Sequence, residues 1–502
     1  KNMKKYLLLF LGLALFVSAC SDNDDEPAEI VSVELNSEVN EFIWKGMNYW
    51  YFWQGDQAVL ADNRFKNTDD FYTYLNGFST SESLFNSLIY QPDVVDDFSW
   101  YIPDVDEQLN SFRGISTSYG IGFPRSLIRV SPDSNDVVIY IAYVDAGSPA
   151  ANAGLKRGDI IYKVDGEAMN INNGAIINKV FSEESISIGL ANIVNGTVEP
   201  IDGDYNLVAQ TITSNPIHFY SVIEEGNKKI GYLVYNGFRN TFNGELNDVF
   251  TYFQNQGINE LVLDLRYNGG GSVLTSALLG SMIDGSVTAN STVFARLQYN
   301  SKREATEGFS YPFLNQNYLY NKTTSQLTGN STLTRLQNIT RLYVLTGKGT
   351  ASASEMVING LRPYMPVKLI GEKTVGKNEG SITVVDAPQN EYSDLEKRNP
   401  NHNVGMQPIV FQVFNSNNES DYTLGFDPDI EVIESQYTAD IKPFGDTNEP
   451  LLRTAINDIL GSSTGKYSLN PDRNMRTIEK EVKLPKFSFE MYLTNDEVGL
   501  DF

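Results

Sequence analysis

Trp44, Met47, Trp50 and Trp53 recur every three residues, with Phe42 and Tyr51 beside them. That spacing predicts a helix with one packed aromatic face. Phe71, Tyr72 and Tyr74 continue the aromatic pattern, so residues 31–111 are read as a small helical N-terminal domain. An aromatic stripe is a packing device, and no chemistry is assigned to it. From 112 to 214 the period shortens to β-like runs divided by turn residues, such as Val137-Val138-Ile139-Tyr140-Ile141 and Asp159 to Gly166. From 215 to 445 apolar strands (Glu260 to Leu265, Leu342 to Leu345) alternate with helix-like stretches, which predicts an α/β core on a parallel or mixed sheet. Residues 290–340, rich in Asn, Ser, Thr and Tyr, read as an insertion or surface excursion. The last unit, 446–502, holds one helix-like stretch from Pro450 to Leu460 and a polar tail without strong periodicity.

Ahead of these units, Lys4 and Lys5 precede an apolar run from Leu7 to Val17 that is too short to span a bilayer and has the form of a secretory signal. Val17-Ser18-Ala19-Cys20 resembles a bacterial lipobox, so residues 1–20 are expected to be a lipoprotein signal peptide with Cys20 as the lipidated mature N-terminus. Residues 21–30 form an acidic linker. Acidic runs after such a Cys resemble surface-export signals of Bacteroidetes lipoproteins. The expected location is the cell envelope, anchored to the outer membrane on its periplasmic face or at the cell surface.

Composition narrows the chemistry. A net charge of −25 disfavours a nucleic-acid partner. Two histidines, His218 and His402, and the single Cys20 are too few for a structural zinc site, a disulfide or a body-located Cys nucleophile. No metal or organic cofactor is expected. A Ser-His-Asp triad would have to use one of two histidines that lie in no recognisable motif.

Ser148-Pro149-Ala150 through Arg157-Gly158-Asp159-Ile160-Ile161 resembles the short helix, glycine turn and strand of bacterial PDZ domains. Upstream, Gly120, Ile121, Gly122 and Phe123 resemble the loop whose backbone amides bind a peptide's terminal carboxylate. Polypeptides with free C-termini are the partners this implies.

Serine needs a neighbouring base, and a lysine can serve if burial lowers its pKa. Gly349 to Val357 reads as a tight small-residue turn entering a helix, which presents Ser352 at a helix N-terminus. Val367 to Lys377 supplies a strand and a glycine-flanked lysine. Here the chain resembles the carboxyl-terminal processing, or tail-specific, serine protease family over most of 112–435. The resemblance implies a multidomain α/β protein with a ClpP/crotonase-like catalytic core beside the PDZ-like domain. It implies Ser352 as nucleophile, Lys377 as base, and an oxyanion hole from the amides of Gly270, in Asp264-Leu265-Arg266-Tyr267-Asn268-Gly269-Gly270-Gly271, and Ala353. Pro428-Asp429-Ile430-Glu431-Val432 resembles the family's closing strand.

Where family members often carry a glutamine to orient the lysine, this chain has Ser381, with Glu379 as another candidate. The function so implied is a serine endopeptidase that cleaves exported proteins after reading their C-terminal tails. A catalytically weak or inactive tail-binding scaffold is the alternative, and an esterase or amidase of small acyl substrates a further one.

Overall fold

The computed structural model describes residues 32–461, 471–481, 489–494 and 497. The leader, Cys20 and the acidic linker lie outside them.

Among the described residues three α-helices come first, Glu38–Trp50, Thr68–Asn76 and Ser81–Leu88, with Ser37, Asn67 and Thr80 as their N-caps. Three members of the stripe read from sequence are buried: Trp44, Met47 and Trp50 pack, with Phe42, in one cluster with Leu233, Leu263, Met356 and Phe411 of the main body, whereas Trp53 lies past the helix end and is half-buried against it. The strand Trp100–Ile102 pairs antiparallel with Gly405–Gln407, which fixes the same attachment through backbone hydrogen bonds.

The PDZ-like module has its own core, which includes Leu127, Val137, Ile139, Ile161, Ile188 and Leu190. Its sheet runs in the order Thr197–Val208, Ser185–Val194, Ile160–Val164, Val137–Tyr140, Ser126–Arg129, and ends on a strand from the far C-terminus, Arg476–Glu481. Ser148 caps the short helix Pro149–Asn152.

The main body carries two six-stranded sheets. One runs Ile217–Glu225, Lys228–Tyr235, Glu260–Asp264, Leu342–Thr346, Val367–Gly371, Ile430–Glu431. Its first pair is antiparallel and the rest are parallel, so the sheet is mixed. Glu260–Asp264 and Leu342–Thr346 are buried at every position, as strands covered on both faces must be. The helices Val273–Ile283 and Ala353–Leu361 lie between this sheet and the second, which runs Gly270–Ser272, Glu490–Leu493, Glu379–Ile382, Ile409–Phe414, Val293–Tyr299, Phe309–Pro312.

Two expectations are corrected here. Within residues 290–340, Leu327–Thr332 is exposed along its length, but its partner Gln316–Tyr320 packs Tyr318 and Tyr320 into the core, and Val293–Tyr299 is a core strand with Phe294 and Leu297 buried. Its polar flanks hid a strand whose apolar residues alternate. The C-terminal tail, read as lacking periodicity, contributes a strand to each of two sheets.

Candidate active site

Ser352 sits in the turn between the strand Leu342–Thr346 and the helix Ala353–Leu361. Its φ of 64° is rare for a residue with a side chain, and such strain is retained where surrounding contacts over-determine it. Those contacts come from the glycine segment: Ala351 N–H donates to Asn268 O at 3.2 Å and Ser354 Oγ to the same carbonyl at 3.0 Å. Ser352 is fully buried, and its hydroxyl has no hydrogen-bond partner among the described residues.

Glu355, one turn into the helix, joins the serine turn to the lysine loop. Its Oε2 accepts from the amides of Ser352 (2.8 Å) and Lys377 (2.9 Å), and its Oε1 from Gly376 N–H (2.7 Å) and Thr374 Oγ1 (2.6 Å). Burial raises its pKa to about 7 against the pull of these four donors. Sequence reasoning gave Glu355 no role. Its signal was an acid three residues after a helix-capping serine.

Lys377 is fully buried, and that burial lowers its pKa, opposed by nearby carboxyl groups of which Glu379 is the strongest. Glu379 is itself raised by burial. The amine lies 4.6 Å from the Phe98 ring centroid and donates to Phe489 O at 2.9 Å. Ser381 does not take the place of an orienting glutamine: its hydroxyl donates to Met491 O (3.2 Å) and accepts from Gln407 Nε2 (2.9 Å). The amine is surrounded by Glu379, Phe98 and Phe489 instead.

Gly270 has φ 115°, and a Cβ on it would stand 2.8 Å from Ser352 Cβ, 3.0 Å from Ala353 N and 2.1 Å from Glu490 O. Glycine is required here, because only its bare backbone lets these groups converge. The two residues expected to form the oxyanion hole therefore lie together beside the serine. In this arrangement, however, Gly270 N–H donates to Asn268 Oδ1 at 2.9 Å.

A cleft of about 990 Å³ connects this glycine run to the PDZ-like module, with Gly120, Phe123, Gly269 and Gly270 among its walls. Ile121–Gly122 pairs with Tyr143–Val144, Gly120 has φ 75°, and Phe123 is buried in the module's core. Neither histidine approaches a triad geometry: His402 contacts Asp386 at 3.2 Å, and His218 packs on Tyr143 and Phe444.

The module is tied to the glycine run by a buried ion cluster that the sequence did not reveal. Arg157 donates to Glu434 Oε1 (2.7 Å), Tyr267 Oη (2.8 Å), Ala142 O (2.8 Å) and Lys442 O (2.9 Å). Arg266 donates to Asp264, Glu434 and Glu449. Burial alone would raise Glu434, but Arg266 and Arg157 hold its carboxyl down at about 2.

Comparison with known proteins agrees with this architecture. Residues 229–432 match the model of peptidase family S41, residues 38–100 that of the peptidase S41 N-terminal domain, and residues 140–173 that of a PDZ domain. A crystal structure of a Bacteroides fragilis NCTC 9343 protein described as an S41 protease superposes with a TM-score of 0.63 at 29% identity, over 84% of this chain and 97% of that one. A Staphylococcus aureus N315 protein named as a CtpA-like serine protease is 24% identical over 78% of each chain. Its counterpart in strain MRSA252 is 26% identical over 71% of this chain, and the match spans 65% of that relative's length.

Proposed function

Since the chain belongs to peptidase family S41, with that family's N-terminal domain and a PDZ domain, we propose that it is a serine endopeptidase working through Ser352 and Lys377. The observation that carries this reading is the Glu355 carboxylate, which holds the backbone amides of both residues and so fixes serine and lysine as one unit. Burial of Lys377 favours the neutral amine a general base needs.

In the proposed reaction the neutral amine takes the Ser352 proton as the oxygen attacks the scissile carbonyl. Backbone amides around Gly270 and Ala353 receive the developing oxyanion, each worth about 3 kcal/mol at the transition state. Lys377 then returns its proton to the leaving amine, and water hydrolyses the acyl-enzyme. Gly270 N–H must leave Asn268 Oδ1 to take part. Substrates are polypeptides whose C-terminal tails enter along the PDZ strand Ser126–Arg129, and the cleft from Gly120 to Gly270 supports a route to the serine.

The test is cleavage of a loosely folded protein with an apolar C-terminus by residues 21–502, compared with Ser352→Ala and Lys377→Ala. Cleavage by wild type alone supports the proposal, and equal cleavage by all three defeats it. The same reading places the protein in the cell envelope with a lipid anchor on Cys20. Cys20→Ala should then move it from the membrane pellet to the soluble fraction.

A further inference from the structure

Two stretches of the C-terminal segment occupy positions where a substrate would be expected. Arg476–Glu481 adds antiparallel to Ser126–Arg129, with Arg476 opposite Arg129 and Glu481 opposite Ser126, so it runs toward the loop Gly120 to Phe123. Met475 is buried against the module, in one cluster with Ile128, Val138 and Tyr140.

Further on, Glu490–Leu493 lies between Gly270–Ser272 and Glu379–Ile382 and runs parallel to both. Glu490 N–H donates to Gly269 O at 3.1 Å, and Met491 O accepts from Ser381. Side chains anchor the strand. The Arg125 guanidinium sits 3.4 Å over the Phe489 ring, Tyr492 stacks on Phe112 at 3.9 Å, and Met491 is wholly buried. Glu497 accepts from Ser272 Oγ (2.7 Å) and Asn240 Nδ2 (3.2 Å).

The decisive contact is that of Lys377. Its amine donates to the carbonyl of Phe489, while Ser352 Oγ has no hydrogen-bond partner among the described residues. A base engaged by the peptide it faces is withheld from the nucleophile.

Resting on the protease reading above, we propose that Arg476–Glu481 and Glu490–Leu493 are tethered blocking strands that fill the peptide-binding edge of the PDZ module and the catalytic cleft together. The protein is idle while they are seated, and it works when an incoming tail displaces them. The tail is held uncleaved, because its own Phe489 carbonyl occupies the amine that would activate Ser352. Being tethered, it competes at a high effective concentration. The peptides that displace it best are extended segments with aromatic residues three apart, like Phe489 and Tyr492, which match Arg125 and Phe112.

The test uses residues 21–502 in two forms, the intact sequence and Phe489→Asp/Tyr492→Asp, which removes the ring contacts with Arg125 and Phe112 and leaves Ser352 and Lys377 unchanged. In a Ser352→Ala background, a fluorescent peptide of sequence 476–497 should bind the unseated form at least tenfold more tightly than the intact one. Equal affinities overturn the proposal. With Ser352 present, the unseated form should cleave a loosely folded protein at least tenfold faster, and equal, measurable rates again overturn it. If neither form cleaves but the binding difference holds, the protease reading fails and the blocking strand stands. Mass spectrometry should find the tail intact in the wild type. Its loss there, with retention in Ser352→Ala, would make it a self-substrate and overturn the blocking role.

Discussion

Arg157 of the PDZ module and Glu434 of the main body form a buried ion pair at 2.7 Å, and Glu434 also takes Tyr267 Oη at 2.7 Å, three residues before Gly270. The module is thereby connected, through charges shielded from water, to the loop beside the nucleophile. Arg157→Ala leaves Glu434 with Arg266 but strips Tyr267 and two carbonyls of a donor. The expected cost is about 3 kcal/mol, read by chemical denaturation, with Arg157→Lys recovering only part of it.

The same cluster sets a response to acid. Glu434 is held at about 2, below the unfolded carboxylate value of about 4.3, so its contribution is complete above about pH 4.3 and is lost as pH falls through 2. Removing Arg157 raises the folded-state pKa of Glu434 and shrinks that contribution. The acid-unfolding midpoint of Arg157→Ala should therefore lie at higher pH than that of the wild type, as followed by near-UV circular dichroism.

Glu355→Gln keeps the shape of the side chain but replaces an acceptor oxygen with an NH₂ facing two donors. Each buried donor left unsatisfied costs about 1–3 kcal/mol. The variant should be less stable, and kcat should fall at least tenfold with KM little changed, since the loss is of alignment between Ser352 and Lys377 rather than of peptide contacts.

Activity should rise with pH through the lowered pKa of Lys377, with an acid limb centred below the ordinary lysine value of about 10.4. Glu379 favours the charged amine whenever it is ionised. Glu379→Gln should thus move the limb to lower pH by about one unit, measured as kcat/KM against pH. Lys377→Arg, which cannot lose its proton, should be inactive at every pH.

Gly270→Ala would drive a methyl group into Glu490 O and Ser352 Cβ at a backbone φ that L side chains rarely adopt. Loss of measurable turnover is expected even in a form whose tail has been unseated. The same substitution at Gly257, a helix end with open space around it, should cost about 1 kcal/mol and leave turnover unchanged.

The turns that carry Ser352, Lys377 and Gly270 were legible because their residue types are set locally. The PDZ module was legible because its helix, glycine turn and strand are contiguous. What joins these pieces was not. Glu355 acts through residues 19 to 22 positions away, and Arg157 through Glu434, far beyond any sequence window. Ser381 stands where the family resemblance puts a glutamine, four residues after Lys377, whereas its neighbours Gln407 and Met491 are brought in by other strands. The strand Glu490–Leu493 carried a weak signal, Phe489, Met491 and Leu493 alternating with Glu490 and Tyr492, too short to separate from a polar tail.

Glu490–Leu493 also defines a width. With it removed, Gly270–Ser272 and Glu379–Ile382 face each other across about two strand spacings, roughly 10 Å, with unpaired backbone groups on both rims. A helix is about 10–12 Å across and has spent its own hydrogen bonds, so it can neither fit that slot nor bond to it. A folded hairpin is wider still. If the proposed function holds, admission would test whether a client's chain end has come undone, and the local unfolding equilibrium of that end would set the rate of cleavage.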